Sequence, residues 1–340
     1  MASTIPVTPE RILRFAWGYV PTLVLEAAIR HRVFEVLDSG AKTLDEIRQE
    51  TGASERGLTA ILNVLVGLNF LARDTEGRFS LTPESSTFLV SSKPGFHGGT
   101  IRHASEHLIP KWLRLNEIVA TGKPIEAVNR EESGGEFFKN FVNDIFPMSY
   151  PAAEVLAANL EIDDASSPAR VLDLAAGSGV WGIALAQRWE HVRVTAVDWP
   201  EVIPVTRSTV ARFGLADRFS FIEGDLLETD FGIGYTIATL GQILHSEGRE
   251  RSRALLAKTF QALSPGGTVA IAEFLVNPDR TGPLNGLFFA VNMLVNTESG
   301  DTYSFEEIAG WLAEAGFVDT RQLESPGPSP LILARKPLEI

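Results

Sequence analysis

The sequence predicts an α/β protein, a doubly wound parallel sheet preceded by a smaller, mostly helical domain. Three observations carry that prediction. From Arg170 onward, short apolar strand-like runs alternate with helical patterns, as a parallel sheet covered on both faces requires. The first of those runs feeds straight into a glycine-rich loop and a helix, "DLAAGSGVWG" at Asp173–Gly182, the arrangement of a Rossmann-like nucleotide site. Before residue 95 the order is helix, turn, helix and short hairpin, that of a winged helix.

Along the first 95 residues, "TLDEIRQETG" carries a capping box, Thr43 as N-cap and Glu46 three residues on, with Gly52 just past the helix end. "ASERGLTAILNVLVGLNFL" follows with Leu58, Ile61, Leu62 and Leu65 at helical spacing, and "FLARDTEGRFSLT" reads as a hairpin turning at Glu76-Gly77. Residues 96–165 form a helical connector through "HASEHLIPKWLRLNEIV" and "GEFFKNFVNDIFPMSYPAAEVLAANL". The polar stretch "DDASSPAR" at 163–170 reads as a linker, with a domain boundary near 165. Residues 166–340 make the α/β domain, whose late helix "SFEEIAGWLAEAGF" has its own capping box, Ser304 with Glu307. Its last two runs, "FVDTRQLES" and "PLILARK", are separated only by "PGPSP", so they are expected to be antiparallel neighbours.

Composition narrows the function. The formal charge of −13 opposes nonspecific attraction to nucleic acid or anionic lipid, so a small molecule is the expected partner. The helix after the turn in the winged-helix stretch offers only Arg56 against Glu55 in its first turn, too little for a groove-reading helix. No cysteine is present, which removes disulfides, thiolate zinc sites and cysteine nucleophiles. "MASTIPVTPE" has no basic and apolar signal pattern, and no run approaches membrane-spanning length, so a cytoplasmic protein with no membrane partner is expected. His103 and His107 stand four apart on a helix, but a pair lacks the third and fourth ligands of a zinc site, and no metal is expected.

The loop "GSGVWG" spells G-x-G-x-x-G, nominally a dinucleotide fingerprint. Asp198, ending "VTAVD" 21 residues after Gly177, suits ribose hydroxyls in either a dinucleotide or an S-adenosylmethionine site. Asp173, four residues before Gly177, discriminates by charge. Beside a pyrophosphate it would cost about 1 kcal/mol or more, whereas beside a cationic sulfonium it would attract. In "IEGDLLE", Asp225 can accept from an adenine amino group and Leu226 can pack on the ring. Gly182 is read as a close helix-to-sheet contact.

With these motifs in order, the sequence resembles the O-methyltransferase family typified by plant caffeate-type enzymes and acetylserotonin methyltransferase. "VLDLAAGSG", "VDWPEVI", "EGDLL", "ILHSEGRERSRALLAKTFQALSPGG" and "EEIAGWLAEAGF" carry the likeness across nearly the whole chain. The resemblance implies a seven-stranded sheet with a reversed C-terminal hairpin, a homodimer through the N-terminal domain, and methyl transfer from S-adenosylmethionine to a small aromatic hydroxyl. It carries His245 onto the general base and Glu273 onto a supporting acid. Asp173, Ala175, Gly177, Asp198, Trp199, Asp225, Leu226, Gly241 and Gln242 fall at cofactor positions. Met148, Phe289, Asn292, Met293 and Asn296 fall around the acceptor.

The sequence also departs from the family. Ala175 and Ala176 replace two loop glycines, which requires negative φ at both. Ser246 and Glu247 stand where aspartate and tryptophan usually follow the histidine, and Thr302, next to Asp301, takes the place of the second supporting acid. A carbon- or nitrogen-methylating relative, and a winged-helix DNA-binding regulator with a ligand-sensing domain, are the alternatives.

Overall fold

The computed structural model describes residues 7–129, 131–160, 162 and 168–338, so the linker expected around 165 lies outside the described residues. The chain divides into two compact units, one ending at Pro110 and the other beginning at Lys111.

In the first unit, α1 (Leu44–Thr51) starts at the Thr43–Glu46 capping box and stops at Gly52, whose φ of 70° is left-handed. Helix α2 (Glu55–Gly67) buries Leu58, Leu62 and Leu65 against Phe34 and Ile47. The wing is β1 (Leu71–Arg73) paired antiparallel with β2 (Phe79–Leu81), turning through Gly77 at φ 82°. Against the expectation that nothing reaches membrane-spanning length, Glu10–Arg30 is 21 residues long and contains an 18-residue window of mean hydropathy 1.3. Scattered charges at Glu10, Arg11, Arg14 and Glu26 hide it from a search for unbroken apolar runs. A turn at residues 17–19 divides the stretch, and Ile12, Phe15, Trp17 and Tyr19 are exposed.

The second unit opens with a short helix at Leu115–Thr121, followed by α3 (Glu131–Phe141) and α4 (Phe146–Asn159). Strands then alternate with helices: β3 (Arg170–Leu174), α5 (Val180–Arg188), β4 (Arg193–Asp198), α6 (Ile203–Arg212), β5 (Phe219–Glu223), β6 (Tyr235–Gly241), α7 (Leu244–Ala262) and β7 (Leu263–Ala272). After α8 (Leu284–Asn296) and α9 (Phe305–Ala315) come β8 (Val318–Leu323) and β9 (Leu331–Arg335). The sheet order is β5-β4-β3-β6-β7-β9-β8, parallel except for β9, which is antiparallel to both neighbours. This is the doubly wound sheet with the reversed final hairpin. One face is packed with Leu156, Trp181, Ile183 and Leu185, the other with Leu255, Leu256, Trp311 and Leu312.

Because β4 lies on one side of β3 and β6 on the other, successive connections leave in opposite directions and open a crevice at the strands' carboxyl ends. The register aligns Asp173 with Thr239 across that switch point. Gly182 lets α5 sit close to the sheet, since a Cβ there would lie 2.8 Å from Val194 Cγ1 and 3.0 Å from Asp173 Oδ2. Overpacking of this kind costs about 1–3 kcal/mol. Gly182→Ala is therefore expected to lower the thermal unfolding midpoint, measurable by calorimetry, whereas Gly310→Ala, with nothing within 4 Å of its added Cβ, is expected to leave it unchanged or higher.

Candidate active site

The loop after β3 is shaped by three left-handed residues, Ala175 (φ 52°), Gly177 (φ 56°) and Gly179 (φ 79°). The negative φ expected of Ala175 is thus corrected. Its Cβ crowds the carbonyl there, a strain of about 1 kcal/mol that the surrounding bonds must hold. Those bonds are specific. Ala176 N–H donates to Val197 O at 3.1 Å, Gly177 N–H donates to Asp198 Oδ2 at 2.7 Å, and Thr206 Oγ1 donates to Gly177 O at 2.6 Å.

Asp173 is fully buried behind the loop. Its Oδ1 accepts from Thr239 Oγ1 at 2.6 Å and its Oδ2 accepts from the Gly182 N–H at 3.1 Å. Burial pushes its pKa up to about 7, against the lowering effect of those two bonds. Each oxygen thus accepts one bond from the protein, and the carboxylate braces β3 against β6 and α5. Asp198, at the end of β4, also accepts the Trp199 N–H at 2.7 Å. The surrounding protein desolvates it and raises its pKa to about 6. The Trp199 ring meets Phe138 of α3 edge-on at 5.9 Å.

Past β5, Asp225 accepts the Leu227 N–H at 2.8 Å on one oxygen and Arg251 Nη2 at 2.7 Å on the other. Leu226 is buried with Leu172, Leu174 and Val197, as a core side chain. Gly241 is in contact with Trp181: a Cβ there would lie 1.8 Å from Trp181 Nε1. Gln242 turns the chain with φ 61°, and its side chain accepts from Ser149 Oγ and donates to Ser329 Oγ, each at 3.1 Å. Sequence reasoning missed that three-residue bridge.

At the start of α7, His245 Nδ1 is 2.7 Å from Glu273 Oε2, while Glu273 Oε1 accepts the His245 backbone N–H at 3.3 Å. Glu273 is 1% exposed and His245 8%. A carboxylate on Nδ1 holds that proton and leaves Nε2 as the accepting nitrogen. Phe289 of α8 packs edge-on against the imidazole at 4.8 Å and stacks on Phe274 at 3.8 Å, so a flat aromatic wall stands beside His245. Phe274 directly follows Glu273, which is the signal that could have found it.

Phe289, Asn292, Met293 and Asn296 share one face of α8, at helical offsets of three, four and seven. Asn292 Oδ1 accepts from Trp112 Nε1 at 3.2 Å and from Asn296 Nδ2 at 3.0 Å. Asn296 is 3% exposed, and its Oδ1 has no partner among the described residues. Met293 is buried. Met148 sits at the start of α4, next to the Ser149 that reaches Gln242. No interaction in the described structure joins Met148 to His245. Thr302 is buried, but its hydroxyl donates to Gly286 O rather than to the imidazole. His103 and His107 face each other at 5.3 Å, and no group of three metal-binding side chains converges among the described residues.

The O-methyltransferase domain family matches residues 126–318, and the O-methyltransferase dimerisation domain matches residues 13–91. The chain belongs to the O-methyltransferase family. Among its relatives, 3-hydroxy-5-methyl-1-naphthoate 3-O-methyltransferase of Streptomyces sahachiroi is 31% identical, covering 96% of this chain and 95% of that one. Acetylserotonin O-methyltransferase of Bos taurus is 30% identical, covering 95% and 96%. A crystal structure of a Nostoc punctiforme protein, described as an O-methyltransferase, matches with a TM-score of 0.89 at 27% identity, over 98% of this chain and 100% of that one.

In this O-methyltransferase the two strand-end acids link stability to pH. Asp173 and Asp198 hold their protons to a higher pH when folded than the roughly 3.9 of an unfolded aspartate, so the folded state binds more protons between about pH 4 and pH 7. Their contribution is complete below pH 4 and is lost as pH rises through 6 and 7. The unfolding midpoint of the ligand-free enzyme is expected to carry this downward component between pH 4 and pH 7, with a shallower slope in Asp173→Asn. Equal slopes in scanning calorimetry would contradict it.

Proposed function

We propose that this O-methyltransferase transfers the methyl group of S-adenosylmethionine to the hydroxyl of a small aromatic acceptor, with His245 as general base. The observation that carries the reading is the buried His245–Glu273 pair set against the Phe274–Phe289 wall at the crevice end of the sheet. Family membership and the naphthoate-methylating relative support the acceptor class.

The crevice residues fit such a donor. Asp198 offers a carboxylate at the ribose position, Trp199 and Asp225 flank the place of the base, and the glycine loop presents backbone rather than side chains to the ligand. The donor supplies an electrophilic methyl carbon on a positively charged sulfur. His245 then removes the proton that blocks attack. Between a free phenol, of pKa about 10, and a free imidazole, of about 6.5, full proton transfer is uphill by roughly 5 kcal/mol. Glu273 offsets part of this by stabilising the imidazolium, and the proton passes to Nε2 as the acceptor oxygen bonds to the methyl carbon and the carbon–sulfur bond breaks. The unpartnered Asn296 Oδ1 fits a hydroxyl or amide donor on the acceptor.

On this reading residues 1–95 pair two copies into a homodimer, 96–165 contribute to the acceptor pocket, and 166–340 bind the donor. The dimerisation-domain match and the exposed Ile12, Phe15 and Trp17 support the first assignment. The net charge of −13 supports a small-molecule partner in the cytoplasm over nucleic acid or an anionic membrane.

His245→Ala is expected to lower turnover by roughly two to four orders of magnitude while donor affinity stays within about twofold. Unchanged turnover on a panel of phenols, followed by mass, would sink the base assignment, and tight binding of NAD in place of S-adenosylhomocysteine would sink the donor. The donor site also predicts a pH effect of its own. Asp198 is neutral below about pH 6 and then accepts ribose hydroxyls poorly, so S-adenosylhomocysteine affinity should fall on the order of tenfold from pH 7 to pH 5. Asp198→Asn should bind weakly with no such dependence, as isothermal titration would record.

A further inference from the structure

Glu247 is an anomaly that the proposed reaction does not use. It is a carboxylate 7% exposed, two residues beyond the base, at a position where the family pattern has an indole. Burial raises its pKa, and a buried carboxylate needs a cation. Arg251 supplies it across the break in α7 at Gly248, where φ 78° and ψ 166° depart from the helix. Arg251 Nε donates to Glu247 Oε2 at 2.5 Å, and Nη2 of the same guanidinium donates to Asp225 Oδ2 at 2.7 Å. One planar cation is thus forked between a buried acid on α7 and the acid that follows β5.

The rest of the Asp225 loop is held from the same helix. Two turns further along α7, Lys258 Nζ donates to the carbonyls of Leu226, Leu227 and Thr229. Lysine therefore fixes the loop's backbone, and arginine fixes its side chain. The Leu227 N–H holds the other oxygen of Asp225, so the carboxylate is clamped in one rotamer with lone pairs left over.

We propose that Arg251 is a positioning residue for donor recognition: anchored on buried Glu247, it aims the Asp225 carboxylate at the amino group of the donor's adenine. This rests on the S-adenosylmethionine reading above. Without the arginine, two carboxylates face one another with no cation between them, and Asp225, the more exposed at 26%, swings away. Glu247 acts only as the anchor, so its loss weakens the aim without touching the ligand.

The test compares S-adenosylhomocysteine with its 6-deamino purine analogue by isothermal titration. The wild type should prefer the adenine compound by about tenfold, the worth of one hydrogen bond to a charged group. In Arg251→Met that preference should fall below about twofold, while the analogue's own affinity changes little. Arg251→Lys should keep part of it, because an ammonium reaches one carboxylate but cannot fork between two. Glu247→Gln should lower it part-way and add nothing in the Arg251→Met background. Should Arg251→Met fail to fold because it strands the Glu247 charge, the double variant Arg251→Met/Glu247→Gln carries the same expectation. A folded variant lacking Arg251 that keeps the tenfold preference overturns the proposal, as does a wild type with no preference, and in both cases the donor reading stands. A wild type that binds neither compound overturns the donor reading and this proposal with it.

Discussion

The buried carboxylate of Asp173 is the constraint on which the site is assembled. It lies at the point where the sheet reverses its winding, and it accepts a hydrogen bond from Thr239 on β6 and another from Gly182 in the first turns of α5. Three elements are thereby locked: β3, which carries the acid; β6, which leads to His245; and α5, which follows the glycine loop. A group of this kind is costly to bury and costly to mispair, so it tolerates few alternative arrangements. The loop it braces can then hold Ala175 in a conformation that an alanine would leave if free.

Strain is placed at both edges of the crevice. Ala175 and Gln242 are non-glycine residues in the left-handed region, one directly after β3 and the other directly after β6. Each is held by bonds from distant segments: the loop of Ala175 by Asp198 and Thr206, and the side chain of Gln242 by Ser149 and Ser329. Left-handed geometry lets the chain turn sharply off a strand without a long loop. It brings His245 to four residues past the end of β6, where Glu273, one residue past β7, can reach it.

Much of this was legible in the sequence because it rests on local rules. The capping boxes at Thr43 and Ser304, the wing at Gly77, the alternation of strands and helices and the antiparallel end all formed as their residue types dictate. His245 and Glu273 were legible as a pair through motif order alone. Asp173 was legible as important but not in its physical part, because whether a strand-end acid faces the crevice or the neighbouring strand is set by register. Leu226 shows the same limit from the apolar side: its neighbours in the core come from β3 and β4. The Ser149–Gln242–Ser329 bridge joins positions 93 and 87 residues apart and leaves no local pattern at all.

The missing second acid illustrates how a site can keep its geometry while changing its parts. Thr302 occupies that place and turns its hydroxyl to Gly286 O, so it offers the imidazole nothing. Its neighbour Asp301 reaches the histidine differently: its backbone N–H donates to His245 O at 3.0 Å, while its carboxylate accepts the Thr302 N–H and lies 3.9 Å from Arg280. The chain segment that would have carried a second acid thus fixes the histidine's backbone, and among the described residues Glu273 is the carboxylate that holds its ring. One carboxylate on Nδ1 suffices to set the tautomer and orientation. On the proposed reading it gives less stabilisation to a fully formed imidazolium than two would, which favours a proton that moves in step with methyl transfer over one removed beforehand.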